Sequence, residues 1–191
     1  MGKRTSTYLR GPDADNCRQA LLFSAEQGFS LNLAISINWH LFNNPTRLSD
    51  QRRLAQAQTR LHHSLKRREH DLRWYWVREV SLGALANTHL HAHDPFADNG
   101  ATFEKLLLRA FEVDGAADRQ AVLVKRTGSG QSRSGGPLGW WRYSFKGLNQ
   151  RDAGKRHIKF SSQGEVVGKR VGMTENLNRT ARARAGYADR P

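Results

Sequence analysis

The stretch WYWVREVSLGALANTHLHAH, Trp74 to His93, decides the fold. Its first seven residues are aromatic, branched or long, the composition of a strand. THLHAH (Thr88 to His93) reads as an antiparallel partner across a short connection that contains a glycine. Alternate residues of a strand share a face, so His89, His91 and His93 project together with neighbouring Cβ atoms roughly 7 Å apart. Leu90 and Ala92 then pack behind them. On the first strand Tyr75, Val77 and Glu79 share one face, and a hairpin brings the Glu79 carboxylate beside the imidazoles. Two imidazoles and a carboxylate leave positions open for water and phosphate oxygens, as a catalytic divalent site requires. Alternating histidines alone are as often a solvated polar strand; the carboxylate on the neighbouring strand shifts the balance towards a metal.

Outward from this hairpin, FSLNLAISINWHLF (Phe29 to Phe42) carries Leu31, Leu33, Ile35 and Ile37 in alternation, the period of a half-buried strand that Pro45 ends. Ser49 to about Arg68 predicts a helix with Leu54, Ala57, Leu61 and Leu65 on one stripe. Phe103, Leu106, Leu107, Ala110 and Phe111 follow helical spacing, and Ala121 to Val124 reads as a short strand. The glycine- and serine-rich run Gly128 to Gly139 reads as a flexible loop. Beyond it Trp141, Phe145 and Leu148 fall on one face of a short helix. Val166 and Val167 read as extended, and Thr174 as the cap of a basic helix reaching about Arg184. The order strand, helix, two strands, helix, strand gives an α+β fold with an antiparallel central β-sheet flanked by helices. We divide the chain into an N-terminal segment, 1–28, partly ordered; a main domain, 29–163; and a basic C-terminal segment, 164–191.

A chain of 191 residues excludes two full enzymatic domains and suffices for one sizeable core. Apolar residues make up 38%, too many for wholesale disorder. Lys plus Arg number 31 against 17 Asp plus Glu, a net charge of +14, which predicts a polyanionic partner, nucleic acid before anionic membrane. No apolar stretch approaches the roughly 20 residues of a membrane helix, and no apolar run follows the basic N-terminus as in a secretory signal. The single cysteine, Cys17, makes neither an internal disulfide nor a Cys-rich zinc site. These features predict a cytoplasmic protein without a membrane partner.

The second constellation is RYSFKGL, Arg142 to Leu148. With Trp141, Phe145 and Leu148 facing the core, Tyr143 and Lys146 lie three residues apart on the other side of the helix. A phenol titrates near pH 10 and is a poor nucleophile at neutral pH, unless a metal polarises the phosphate or an ammonium favours phenolate. An ordinary amphipathic tyrosine beside a surface lysine is the commoner meaning of this spacing. Charge nevertheless concentrates here: from Val124 to Phe160 stand Lys125, Arg126, Arg133, Arg142, Lys146, Arg151, Lys155, Arg156 and Lys159 against Asp152 alone. Interleaved with Trp140, Trp141 and Phe145, these residues suit a single-stranded backbone whose bases stack on aromatic rings. The long helix adds Arg52, Arg53, Arg60, Lys66, Arg67 and Arg68, partly as helix surface and partly as phosphate contacts. Arg182 and Arg184 near the C-terminus suit duplex DNA or a solvated end equally.

In this order the segments resemble the His-hydrophobic-His (HUH) endonucleases, in particular the small rolling-circle replication initiators (Rep-like proteins) of bacterial plasmids and phages. SLNLAISINW resembles the first motif, a buried strand at the centre of the sheet; WYWVREV with THLHAH resembles the paired metal motif; RYSFKGL resembles the nucleophile motif; and GEVVGKRVGMTENLNRTARAR is similar to a basic end segment of replication proteins in proteobacteria. The resemblance implies Tyr143 as nucleophile with Lys146 as its companion. It also implies Mg²⁺ or Mn²⁺ on Glu79, His89 and His91, and single-stranded origin DNA as substrate. HLHAH offers two registers, so His93 with His91 is the alternative to His89 with His91. Gly147 stands one turn after Tyr143's neighbourhood where a second tyrosine would be needed, which resembles the single-tyrosine enzymes. The sequence has no GxxxxGK[ST] loop, so unwinding and synthesis fall to a separate host helicase and polymerase. The competing expectation is a non-catalytic DNA- or RNA-binding protein with a structural His cluster; a small-substrate metallohydrolase leaves the charge without a role.

Overall fold

A computed structural model of the chain describes residues 5–42, 49–83, 85–96, 98, 100–113, 115–127 and 136–189. Pro45, Arg133 and the first eight residues of the expected loop lie outside them. The core is a five-stranded sheet of β2 (Leu33–Asn38), β3 (Trp74–Val80), β4 (Ala86–Ala92), β5 (Val122–Arg126) and β7 (Val171–Met173) in the order β5-β2-β4-β3-β7. Every ladder is antiparallel. A two-residue pairing of β1 (Thr5–Ser6) with β6 (Val166–Val167) lies apart from it. The fold is therefore α+β with an antiparallel central sheet. The middle strand is β4, which carries the histidines; β2, expected at the centre, is the strand beside it.

Strict alternation divides the sheet between two apolar layers. Leu33, Ile35, Ile37, Trp74, Trp76, Leu90 and Ala92 face α2 (Asp50–Lys66) and α3 (Ala101–Ala110). The stripe Leu54, Ala57, Leu61 and Leu65 is buried against them as its spacing predicts. Tyr75 and Val77 face the opposite way, towards α1 (Gly11–Glu26) and α5 (Gly136–Ser144). Leu31, expected in phase with Leu33, precedes β2 and joins this second layer. Edge strand β7 crosses the indole of Trp76 at Gly172, where a Cβ would lie 2.5 Å from the ring; only glycine permits that approach.

Several elements depart from expectation. Gly136 to Gly139, assigned to the loop, form the first turn of α5, where Pro137 is tolerated because an N–H there has no intrahelical acceptor. α5 stops at Ser144, so Phe145 and Lys146 lie in the turn that closes it. In the tail, Asn178 caps α7 (Arg179–Arg184) by accepting from the Ala181 amide at 2.9 Å. Thr174 is instead engaged with the backbone of Trp74. Segment 1–28 contains the 16-residue α1, whose Ala14, Cys17, Ala20, Leu21 and Phe23 are core residues. No helix among the described residues is long and apolar enough to cross a membrane.

Candidate active site

The β3–β4 register sets Val77 opposite His89, Tyr75 opposite His91 and Glu79 opposite Asn87. Glu79 and His89 are thus diagonal neighbours on one face, within reach of long side chains. His89 Nε2 donates to Glu79 Oε1 at 2.9 Å, since a carboxylate only accepts. Nδ1 of the same ring meets Ser36 Oγ at 3.1 Å. His91 is fully buried; its Nδ1 meets the Tyr75 hydroxyl at 3.0 Å, and its Nε2 has no hydrogen-bond partner among the described residues. Burial drives the His91 imidazole down to about 3, only partly offset by the Leu31 backbone. His93 lies just past the end of β4, with Nδ1 on the carbonyl of Ser30 at 3.0 Å and its ring against Phe29. Glu79 therefore meets the earlier histidine, His89, and His93 is bound elsewhere.

Lys146 reaches the same carboxylate from the turn after α5. Its Nζ lies 2.9 Å from Glu79 Oε1 and 2.8 Å from Oε2. Gly147 shapes that turn, because a Cβ there would stand 2.6 Å from Gln163 Cγ. Burial alone would push the Glu79 carboxyl up, but His89 and Lys146 outweigh it and hold it at about 2. The Lys146 ammonium also sits 3.9 Å from the centroid of the Tyr143 ring, which lies 5.0 Å from the His89 ring and 5.0 Å from Trp140, stacked on it. Trp140 is fixed by its own Nε1, which donates to the Leu90 carbonyl at 2.9 Å. Tyr143 itself is 47% exposed, so a half-open phenol, a shared lysine and a buried carboxylate–imidazole pair form one continuous cluster.

The donor chemistry of this cluster fits a divalent cation. Metal-bound imidazoles keep their second nitrogen on a partner that fixes the ring, and here hydroxyls hold Nδ1 of both His89 and His91. Among the described residues, however, no three His, Cys, Asp or Glu side chains are gathered into a preformed metal cage. The ammonium of Lys146 supplies the positive charge beside Glu79 in this arrangement.

The basic residues divide by position. Lys125 is exposed at the edge of the histidine face, opposite Ala34; Arg151 and Lys155 on α6 (Gln150–Lys155), and Lys159 after it, are exposed. Arg142 is half-buried on α5. Arg126 points to the other side of the sheet and pairs with buried Asp94 at 2.6 Å. Arg156 pairs with Asp15. The long helix α2 packs on the sheet face away from the histidines, where Arg60 pairs with Glu112 and Arg53 covers the Phe42 ring. Arg182 is buried on Asn16, the Leu177 carbonyl and Asp189, so it is part of the core instead of a DNA contact. Sequence reasoning left out Ser36, whose polar signal among Leu33, Ile35 and Ile37 places it on the histidine face, and set Tyr75 on the face of Glu79 without assigning it a partner. A comparison with known proteins returns no matching family model, no matching curated protein and no matching solved structure.

Proposed function

We propose that the chain is a metal-dependent single-strand DNA endonuclease and ligase, working through a 5′-phosphotyrosine on Tyr143 to initiate rolling-circle replication of a plasmid or phage. The observation that carries this reading is the bridge made by Lys146, 2.8 Å from the Glu79 carboxylate and 3.9 Å from the Tyr143 ring centroid. It joins an exposed nucleophile to a buried set of ligand-type side chains.

In this reading the Tyr143 oxygen forms a bond to phosphorus while the bond from phosphorus to the 3′ oxygen breaks. The phenolic proton ends on the freed 3′ hydroxyl, which primes synthesis; the reverse step rejoins the strand. Lys146 shares its charge between Glu79 and the phosphate oxygens. Trp140 keeps the Tyr143 ring in place by stacking, so the nucleophile is held near its target. Glu79, His89 and His91 would hold Mg²⁺ or Mn²⁺, which polarises the scissile phosphate when bound. Lys125, Arg151, Lys155 and Lys159 offer charge to the flanking strand.

Incubating the protein with 3′-end-labelled single-stranded origin DNA, whose label stays on the fragment bound to the protein, tests the reading. The expected result is a denaturation-resistant adduct in Mn²⁺ or Mg²⁺, its loss in EDTA, and its absence from Tyr143→Phe. Mass spectrometry that finds the label on another tyrosine, or full nicking by His91→Ala, overturns it.

The second reading, a non-catalytic DNA- or RNA-binding protein, is favoured by the complete burial of His91 and by the closed Glu79–His89–Lys146 network. Binding without any adduct under the same conditions selects it.

A further inference from the structure

Arg170, between β6 and β7, is 7% exposed. One of its nitrogens, Nη1, donates to the Ser6 carbonyl at 3.1 Å; Nε and Nη2 are buried without a hydrogen-bond partner among the described residues. Those two nitrogens form the side edge of the guanidinium, a pair of parallel donors matched to two oxygens of one phosphate. Glu79 and the like charge of Arg78 act on Arg170 only through space; the bonds from His89 and Lys146 both end on Glu79 Oε1, and Oε2, 2.8 Å from Lys146 Nζ, makes no hydrogen bond to Arg170. A buried donor edge left without acceptors is costly, and the fork is cationic, so an anionic ligand suits it better than a neutral base edge.

Arg170 lines a cavity of about 600 Å³, walled by the start of α1 and the β6–β7 turn. The acid in its wall, Asp13, is held by two hydrogen bonds from Arg10. Tyr8, half-exposed, stands in the same wall as an aromatic surface. Another wall residue, Leu9, donates its amide to the Gly147 carbonyl at 2.9 Å, so the cavity adjoins the turn that carries Lys146. The covered nitrogens sit in a low-dielectric setting in which a bound phosphate counts most, and the residues over them must give way to admit it.

We propose that Arg170 is a second phosphate clamp, which holds through its Nε–Nη2 edge a phosphodiester of the single-stranded DNA next to the one presented to Tyr143. The proposal rests on the reading above that the chain binds single-stranded DNA.

The test measures oligonucleotide binding by fluorescence anisotropy in EDTA, where no nicking intervenes. In a methylphosphonate scan of the wild-type complex, several linkages are expected to weaken binding when neutralised, and the one held by Arg170 by about tenfold. Arg170→Gln should bind about tenfold more weakly, lose sensitivity at that linkage alone, and show a log–log salt slope shallower by about 0.7, the value of one phosphate on a single strand. Arg170→Lys, with charge but no fork, should recover only part of the affinity. Where Arg170→Gln fails to fold, Arg170→Lys, which keeps the buried charge, carries the same scan and should show reduced sensitivity at that one linkage. A scan without such a linkage, or equal sensitivity in a folded Arg170→Gln, overturns the clamp. Inorganic phosphate that competes for Arg170 without any effect of the variant on the oligonucleotide overturns the diester assignment. Failure of the wild type to bind any single strand overturns the proposed function as well, whereas an Arg170-dependent linkage without a Tyr143 adduct removes only the nicking chemistry.

Discussion

Glu79 and His91 lie on one sheet face, with His89 between them in register, and both make the protein sensitive to acid, for different reasons. Glu79 is held at about 2 in the folded chain, below the ordinary carboxyl near 4.3. Its contribution is complete above the unfolded value and is lost as pH falls towards 2. His91, driven by burial to about 3, is neutral when folded, whereas the unfolded chain takes up a proton below about 6.5. Its folded pKa is depressed, so stability again falls as pH drops, here from about 6.5 towards 3. We expect the melting temperature in EDTA to decline steadily from pH 7 to pH 4. His91→Gln, which does not titrate, should flatten the upper half of that decline. An unchanged slope in this variant would mean that the imidazole is not shielded as its burial requires. The pairing of Glu79 with His89 was legible in the sequence because strand alternation is a strict rule. The hydroxyls of Ser36 and Tyr75 on the two imidazoles were not, because the sequence alone does not state which side chains meet across three strands.

At the level of elements, the hairpin of β3 and β4 and the helix α2 follow from local pattern, since alternation and the four-residue stripe each bury one face. α1 was not legible: its buried side includes Ala14, Cys17, Ala20 and Ser24, small or polar residues that make no apolar stripe, and only packing against α5 and the sheet explains it. The position of α2 changes what its basic residues do. Were α2 and the Val124 to Phe160 surface to engage about six phosphates together, the salt slope on single strands would be near −4. With α2 on the far face, about four phosphates remain for the near side, and we expect a slope of roughly −3. Replacing exposed Arg52 and Arg67 by Gln should leave single-strand affinity within about twofold. The same change at Lys125 and Lys155 should weaken it about tenfold or more and make the slope shallower. Equal losses from both pairs would place the strand across both faces of the sheet.

Across the whole molecule, the two ends of the chain are tied together through one buried charge. Arg182 on α7 donates Nη2 to Asn16 Oδ1 of α1 at 2.7 Å, Nη1 to the Leu177 carbonyl at 2.8 Å, and Nε to Asp189 at 3.1 Å. Leu177 and the α1 residues Ala14, Cys17 and Phe23 belong to the same apolar layer as Tyr75 beside His91. The outer segments, 1–28 and 164–191, therefore share a core with the sheet, and β7 completes it. Arg182→Ala would leave the Leu177 carbonyl and the Asn16 side chain without their donor and open a cavity, while Asp189, 39% exposed, can turn to water. Removing one partner of such a buried network costs about 3 kcal/mol, and a chain of this length loses roughly 2 to 4 °C per kcal/mol. We expect a melting temperature about 6 to 12 °C lower, in a single calorimetric transition, with the amides of α1 and of α7 exchanging faster together. Arg182→Lys, which keeps the charge but not the fork, should restore only part of the loss. If α7 loosens alone while α1 keeps its protection, the two ends are separate units and the histidine face does not depend on the tail.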